Sequence, residues 1–252
     1  MVTVLLKEFI NYQVASVLLE IRGNFKWPEF KNLQTLDQQL QYAQNNLQEL
    51  GRGSSRAAFL LSNRYVLKIA LPSAAEKGIG QNKGEVAVFT NTASKDLVTK
   101  IYDFDPKGHW VVSEIARPIT NPEEFQQLTG IPWQEFVSVN TNWDQIDDEV
   151  QELQNAIKIW TRKVNVAQQQ NNQEALQAAS QKLQNLQNKL QSLQSTVNNS
   201  FLLKVRNLYK QANLVGGDIL ELDHWGKTAD GNIVLIDYGF TRDLAHLYKK
   251  SA

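Results

Sequence analysis

Lys68 stands inside YVLKIA, surrounded by apolar and branched neighbours. An ammonium there is costly to bury unless it is paired or reaches a ligand. The ordinary alternative is an edge-strand lysine whose stem lies on apolar surface while its head meets water. Glu85, in NKGEVAVF, is a natural partner for that ammonium, although most helix glutamates are simply solvated. Gly51 and Gly53, in ELGRGSSRAAF, sit just ahead of a strand. A short glycine turn between two strands lets backbone N–H groups approach phosphate oxygens, and it also serves as a plain turn. Near the other end, GNIVLIDYG runs Val234, Leu235 and Ile236 into Asp237, Tyr238 and Gly239, so a buried strand delivers a carboxylate to a glycine turn.

These residues need a sheet and a helix to bring them together. Residues 48 to about 116 have the texture of strands. RAAFLLS and RYVLKIA are apolar runs joined by Ser62, Asn63 and Arg64, the pattern of a β-hairpin. LVTKIYDFD and HWVVSEIA form a second pair around Pro106, Lys107 and Gly108. A helix is expected over about 80 to 92, between the pairs. The order of strands, one helix, strands and then mostly helices is that of an α+β chain. Gly78, Gly80 and Gly84 fall in or beside the helix that carries Glu85. At a cost of about 1 kcal/mol each against Ala, they are expected to leave it loosely held, swinging Glu85 toward Lys68 only with ligand.

Elsewhere helical patterns dominate. Leu6, Ile10, Val14, Val17 and Ile21 predict an amphipathic helix over 3–21, stopped by Gly23. Leu36, Leu40, Ala43 and Leu47 predict a second over 33–49. Residues 147–199 carry two heptad-patterned arms, Val150 to Ala167 and Ala179 to Val197, broken by QQQNNQ. They predict an antiparallel helical hairpin, with a second arm of about 36 Å at 1.5 Å per residue. Its apolar seam needs burial against the other arm or a partner, so it is either a self-paired spike or a docking arm for another protein or copy through 150–197.

Composition sets limits. Lys plus Arg and Asp plus Glu stand at 26 each, a net charge of zero, which argues against bulk nucleic-acid or membrane-surface binding. There is no cysteine, which excludes disulfides and thiolate metal sites. With no signal-like or membrane-length apolar run, the chain is expected to be cytoplasmic.

Taken in order, the glycine turn, the strand Lys, the helix Glu, a strand pair ending at Glu114, the GGDILELDHWG loop and the strand ending IDYG resemble the protein-kinase-like superfamily. The resemblance covers about 48 to 116 and 200 to 243. It implies a bilobal protein-kinase-like fold with a truncated C-lobe and an inserted coiled-coil hairpin. The implied layout is N-terminal helices over 1–47, an N-lobe over 48–116, and a C-lobe over 117–252 with the hairpin at 147–199. It further implies ATP and Mg²⁺. Gly51 and Gly53 would cover the phosphates, with Arg56 in place of the family's third glycine adding a cation. Lys68, fixed by Glu85, would hold the phosphates, and Glu114 to Ala116 would offer backbone groups to adenine. Asp218 would take the catalytic position, and Asp237, in DYG where the family has DFG, would hold Mg²⁺ with Asp223.

The departures from the pattern matter. Gly216 and Gly217 stand where the family has His-Arg, and Asp223, followed by His224, stands where it has a metal-binding Asn. His224-Trp225-Gly226 also reads as a packed aromatic turn. After Asp237 one short helix is expected, with Thr241 as its cap and Leu244, Leu247 and Tyr248 on a face. The chain resembles the minimal or atypical members, small-molecule kinases and some phage-encoded kinase-like proteins. Two functions follow: a phosphotransferase acting from Mg-ATP on a hydroxyl acceptor, or a catalytically weak interaction module of pseudokinase type.

Overall fold

The computed structural model of the protein describes residues 24–244. The helix expected over 3–21, and Leu247 and Tyr248 of the last expected helix, lie outside them. The chain divides into two compact units, one of residues 24–130 with 207–244 and one of residues 131–206.

In the first unit, α1 (Trp27–Asn32) and α2 (Leu36–Asn46) precede the sheet. Thr35 starts α2 with a reciprocal cap: its hydroxyl accepts from the Gln38 N–H while the Gln38 side chain accepts from the Thr35 N–H. The helix is shorter than the expected 33–49 because the backbone turns extended at Leu47 and enters a strand. That strand, β1 (Gln48–Arg52), joins β2 (Arg56–Leu60), β3 (Tyr65–Ala70), β4 (Ile101–Phe104) and β5 (Trp110–Glu114) in an antiparallel sheet of order β1-β2-β3-β5-β4.

The two-residue period of the strands decides which face each side chain meets. Ala57, Phe59, Leu67, Ile69, Trp110 and Val112 share a core with Phe25, Trp27 and Phe30. Trp27 stacks on Phe30 at 5.3 Å and meets Trp110 edge-on at 5.1 Å. The alternate residues, Ala58, Val66 and Lys68, line the opposite side, over a cleft. A slip of one residue would exchange these sets and bury an unpaired lysine in the aromatic core. The helix α3 (Ala75–Asn91) follows β3 and is longer than the expected 80–92.

A second, three-stranded sheet contains the buried strand expected before Asp237 and adds two short strands to it. It consists of β6 (Ala116–Pro118), β7 (Trp225–Thr228) and β8 (Ile233–Leu235), antiparallel in the order β6-β7-β8. The short α4 (Pro122–Thr129) is capped by Asn121 and ends at Gly130, whose φ of 76° suits glycine. Its Phe125 packs edge-on against Trp225, 6.0 Å between ring centres.

The second unit is helical. α5 (Trp133–Thr141) leads into α6 (Trp143–Gln169) and α7 (Gln173–Val197). Between the long helices only residues 170–172 turn, with Asn171 at φ 53° and the Asn172 side chain accepting from the Ala175 N–H. The break is thus shorter than QQQNNQ suggests, because Asn172 caps the new helix at once. Lys189 reaches back to Glu149 at 2.6 Å, so the two helices run antiparallel. Leu153, Ala167 and Ala179 are buried. From here α8 (Ser200–Ala212) runs across the division, and α9 (Gly216–Ile219) follows in the first unit.

Candidate active site

Lys68 lies on β3, a central strand, with Ala58 opposite on one side and Val111 on the other. The edge-strand alternative therefore does not apply. Its Nζ donates to both oxygens of Glu85, at 2.8 and 3.0 Å, and to the carbonyl oxygen of Ile236 at 2.7 Å. The last bond ties β3 to the residue just before Asp237. Glu85, on α3, is wholly buried. A carboxylate so placed needs charged donors, and it has two, because Arg56 Nη1 also donates to its Oε1 at 2.8 Å.

Arg56 does more than stand in for a glycine. Its Nη1 also reaches Asn82 Oδ1 at 3.3 Å, and its Nη2 donates to Asp237 Oδ1 at 2.8 Å. Strand β2, helix α3 and the Asp237 turn are thereby joined through one guanidinium. Burial opposes ionisation of Asp237, but the charges of Arg56, Lys68 and His224, with the hydrogen bond from Arg56, hold its carboxyl below the usual range. The Asp237 side chain remains 41% exposed. Tyr238 is fully buried and donates its hydroxyl to the Thr99 carbonyl at 2.7 Å, fixing the turn.

The glycines explain how α3 comes so near. A Cβ on Gly84 would lie 2.3 Å from the carbonyl oxygen of Gly239, one on Gly239 would lie 2.3 Å from that of Gln81, and one on Gly78 would lie 2.3 Å from that of Ser55. Gly78 and Gly84 thus have a packing role that the sequence did not show. They let its backbone touch the Asp237 turn and the loop before β2, with Glu85 already on Lys68.

Asp218, on α9, comes from a distant part of the chain. Burial, and then the negative charge of Asp237, push its carboxyl up to about 7, against the opposing charges of His224 and Arg56. Its Oδ2 is buried without a hydrogen-bond partner. The Asp218 carbonyl meets His224 Nδ1 at 2.9 Å. Trp225 is packed as expected, with Nε1 donating to the Ile219 carbonyl at 3.0 Å, but it and Gly226 belong to β7 rather than to a turn, and His224 faces the cleft.

The cleft has a volume of about 890 Å³. Leu50, Ala58, Val66 and Ile115 give it apolar walls, and Lys68, Glu114, Ala116, Asp223, His224 and Asp237 also line it. A smaller cavity of about 250 Å³ is lined by Gly51, Gly53, Arg56, Lys68 and Asp237 among others. Asn82, with Gln81 beside it, escaped sequence reasoning. The available signal was its place three residues before Glu85 on the same helical face.

The oxygen donors suit a hard divalent cation: Asp237 and Asp223 on the cleft, and the orphaned Asp218 Oδ2 nearby. Among the described residues, no three His, Asp or Glu side chains form a metal centre by themselves. Among the described residues, no helix is long and apolar enough to cross a membrane.

No family model matches the chain, and no curated protein matches it. Among the solved structures that resemble parts of it are two. One is SAICAR synthase from Saccharomyces cerevisiae complexed with SAICAR, at 16% identity over 34% of this chain and 43% of that one, with a TM-score of 0.23. The other is the streptomycin–ATP–APH(2'')-IIa ternary complex, at 15% identity over 43% of this chain and 38% of that one, with a TM-score of 0.25. The chain thus spans well under half the length of either neighbour. Nothing in these two likenesses supports the phage-encoded resemblance.

Proposed function

We propose that the first unit has a protein-kinase-like core that binds ATP and transfers a phosphoryl group to a hydroxyl acceptor. The observation that carries this reading is the join of Lys68, Glu85 and the Ile236–Asp237 strand end: an ammonium on a central strand, oriented by a buried carboxylate, beside a second carboxylate that opens on the same cleft. Such transfer depends on placement and charge stabilisation more than on covalent chemistry by the protein. The apolar walls suit a planar base, and the backbone from Glu114 to Ala116 lies beside them. Lys68 would hold phosphate oxygens while Glu85 keeps its ammonium in place. Gly51 and Gly53 would lie over the phosphates in the adjoining smaller cavity. Asp218 would accept the hydroxyl proton of the acceptor, a task suited to a carboxyl that titrates at about 7. Asp237 and Asp223 would hold Mg²⁺, which when bound neutralises phosphate charge.

One observation favours a second reading, a nucleotide-binding module of low turnover. Asp237 gives one oxygen to Arg56, and so has less charge to offer a metal. Thermal melting with and without Mg-ATP tests binding, and an assay of ATP consumption tests turnover. Mg-ATP should raise the wild-type Tm, and Lys68→Ala should abolish the rise. No rise in the wild type would end the nucleotide reading. A rise without turnover would select the module.

A further inference from the structure

Arg56 is buried, and its guanidinium is shared between the two carboxylates that matter most to the cleft: 2.8 Å to Glu85 and 2.8 Å to Asp237. With Lys68 on Glu85, two fixed cations pair with these two carboxylates. This balance has a consequence for an anionic ligand. Asp237 alone would repel incoming phosphates at short range, and in a partly dry site that repulsion is strong. A divalent ion bound at the carboxylate would normally cancel it. Here a guanidinium already covers Asp237 Oδ1 from the protein side, and Arg56, Lys68 and Asp237 all line the smaller cavity next to the cleft.

We propose that Arg56 is a positioning residue that acts as a built-in counter-cation for Asp237, so that this site accepts the polyphosphate of a nucleotide with little dependence on a divalent metal. The inference rests on the nucleotide reading above and deepens it. Arginine suits the task because its planar fork bonds both carboxylates at once and it keeps its charge at all working pH values. It also ties β2, α3 and the Asp237 turn together, so the geometry stands before any ligand arrives.

The test is calorimetric titration of the full chain with ATP, once in EDTA and once in excess MgCl₂, for the wild type, Arg56→Gln and Arg56→Lys. The quantity read is the ratio of the metal-free Kd to the Mg²⁺ Kd. For the wild type this ratio should stay below about 10, and for Arg56→Gln it should rise at least about tenfold, because Asp237 then lacks its counter-charge. Arg56→Lys, which restores the charge, should return the ratio to within about threefold of wild type. A purely structural role would weaken both affinities together and leave the ratio unmoved. A wild-type ratio above about 10, or an unchanged ratio in Arg56→Gln, overturns the inference while leaving nucleotide binding intact. Should Arg56→Gln fail to fold, the wild-type ratio alone decides. Absence of ATP binding by the wild type in both buffers removes the nucleotide reading, and this inference with it.

Discussion

Asp218 keeps Oδ2 buried without a partner, and its carboxyl is pushed up to about 7 by burial and by Asp237. The folded chain therefore holds a proton that the unfolded chain releases near the ordinary carboxylate range. Between about pH 4 and 7 the folded state binds more protons, so stability falls as pH rises through that window and levels off above it. Asp218→Asn removes the ionisation. Its Tm should exceed that of the wild type at pH 8 and approach it at pH 5, with a difference in unfolding free energy at pH 8 of about 1–2 kcal/mol once solvent screening is discounted. Equal melting profiles across that range would show that Asp218 is not desolvated. Lys68 and Glu85 could be paired from the sequence because an ammonium in an apolar strand demands a carboxylate. The bond from Lys68 to the Ile236 carbonyl, and the hold of Arg56 on Asp237, could not. They join residues far apart in the chain, and no local pattern encodes them.

The helix α3 shows how an element serves the site. Its glycines cost helix propensity, yet Gly84 lets the helix backbone meet the carbonyl of Gly239 where a Cβ would sit at 2.3 Å. Gly84→Ala would push backbone against backbone, and we expect a loss of about 1–3 kcal/mol together with a smaller ATP-induced rise in Tm. Gly51→Ala is the control, because a Cβ there meets nothing within 4 Å. Its Tm in the absence of ligand should match the wild type. Unfolding curves of the two variants check this, and equal losses in both would remove the close-approach argument. Strand alternation in YVLKIA was legible from the sequence, since Leu67 and Ile69 must oppose Val66 and Lys68. In the second sheet only the strand before Asp237 was legible. The strands are three or four residues long, too short for a period to show.

At the scale of the chain, the proposed site draws on residues 50–118 and 218–239, all in the first unit, while residues 131–206 form the second. Replacing 150–197 by a short glycine linker should therefore spare the ATP-induced Tm rise. Thermal melting of the deletion variant checks this, and loss of cooperative melting would instead make those helices part of the folding core. The long helices α6 and α7 were foreseeable because their apolar residues repeat over several turns and the turn between them is marked by Asn171 and Asn172.

By itself, the sequence determined the local elements and the residue types able to meet phosphate: periodicity, capping and glycine placement act over a few residues, and each leaves a readable pattern. The tertiary structure alone decided that Arg56 faces both Glu85 and Asp237, that Asp218 has a buried Oδ2, and that the glycines of α3 mark a backbone contact. Those outcomes depend on which distant segments share a volume, and burial and charge coupling arise only once they do.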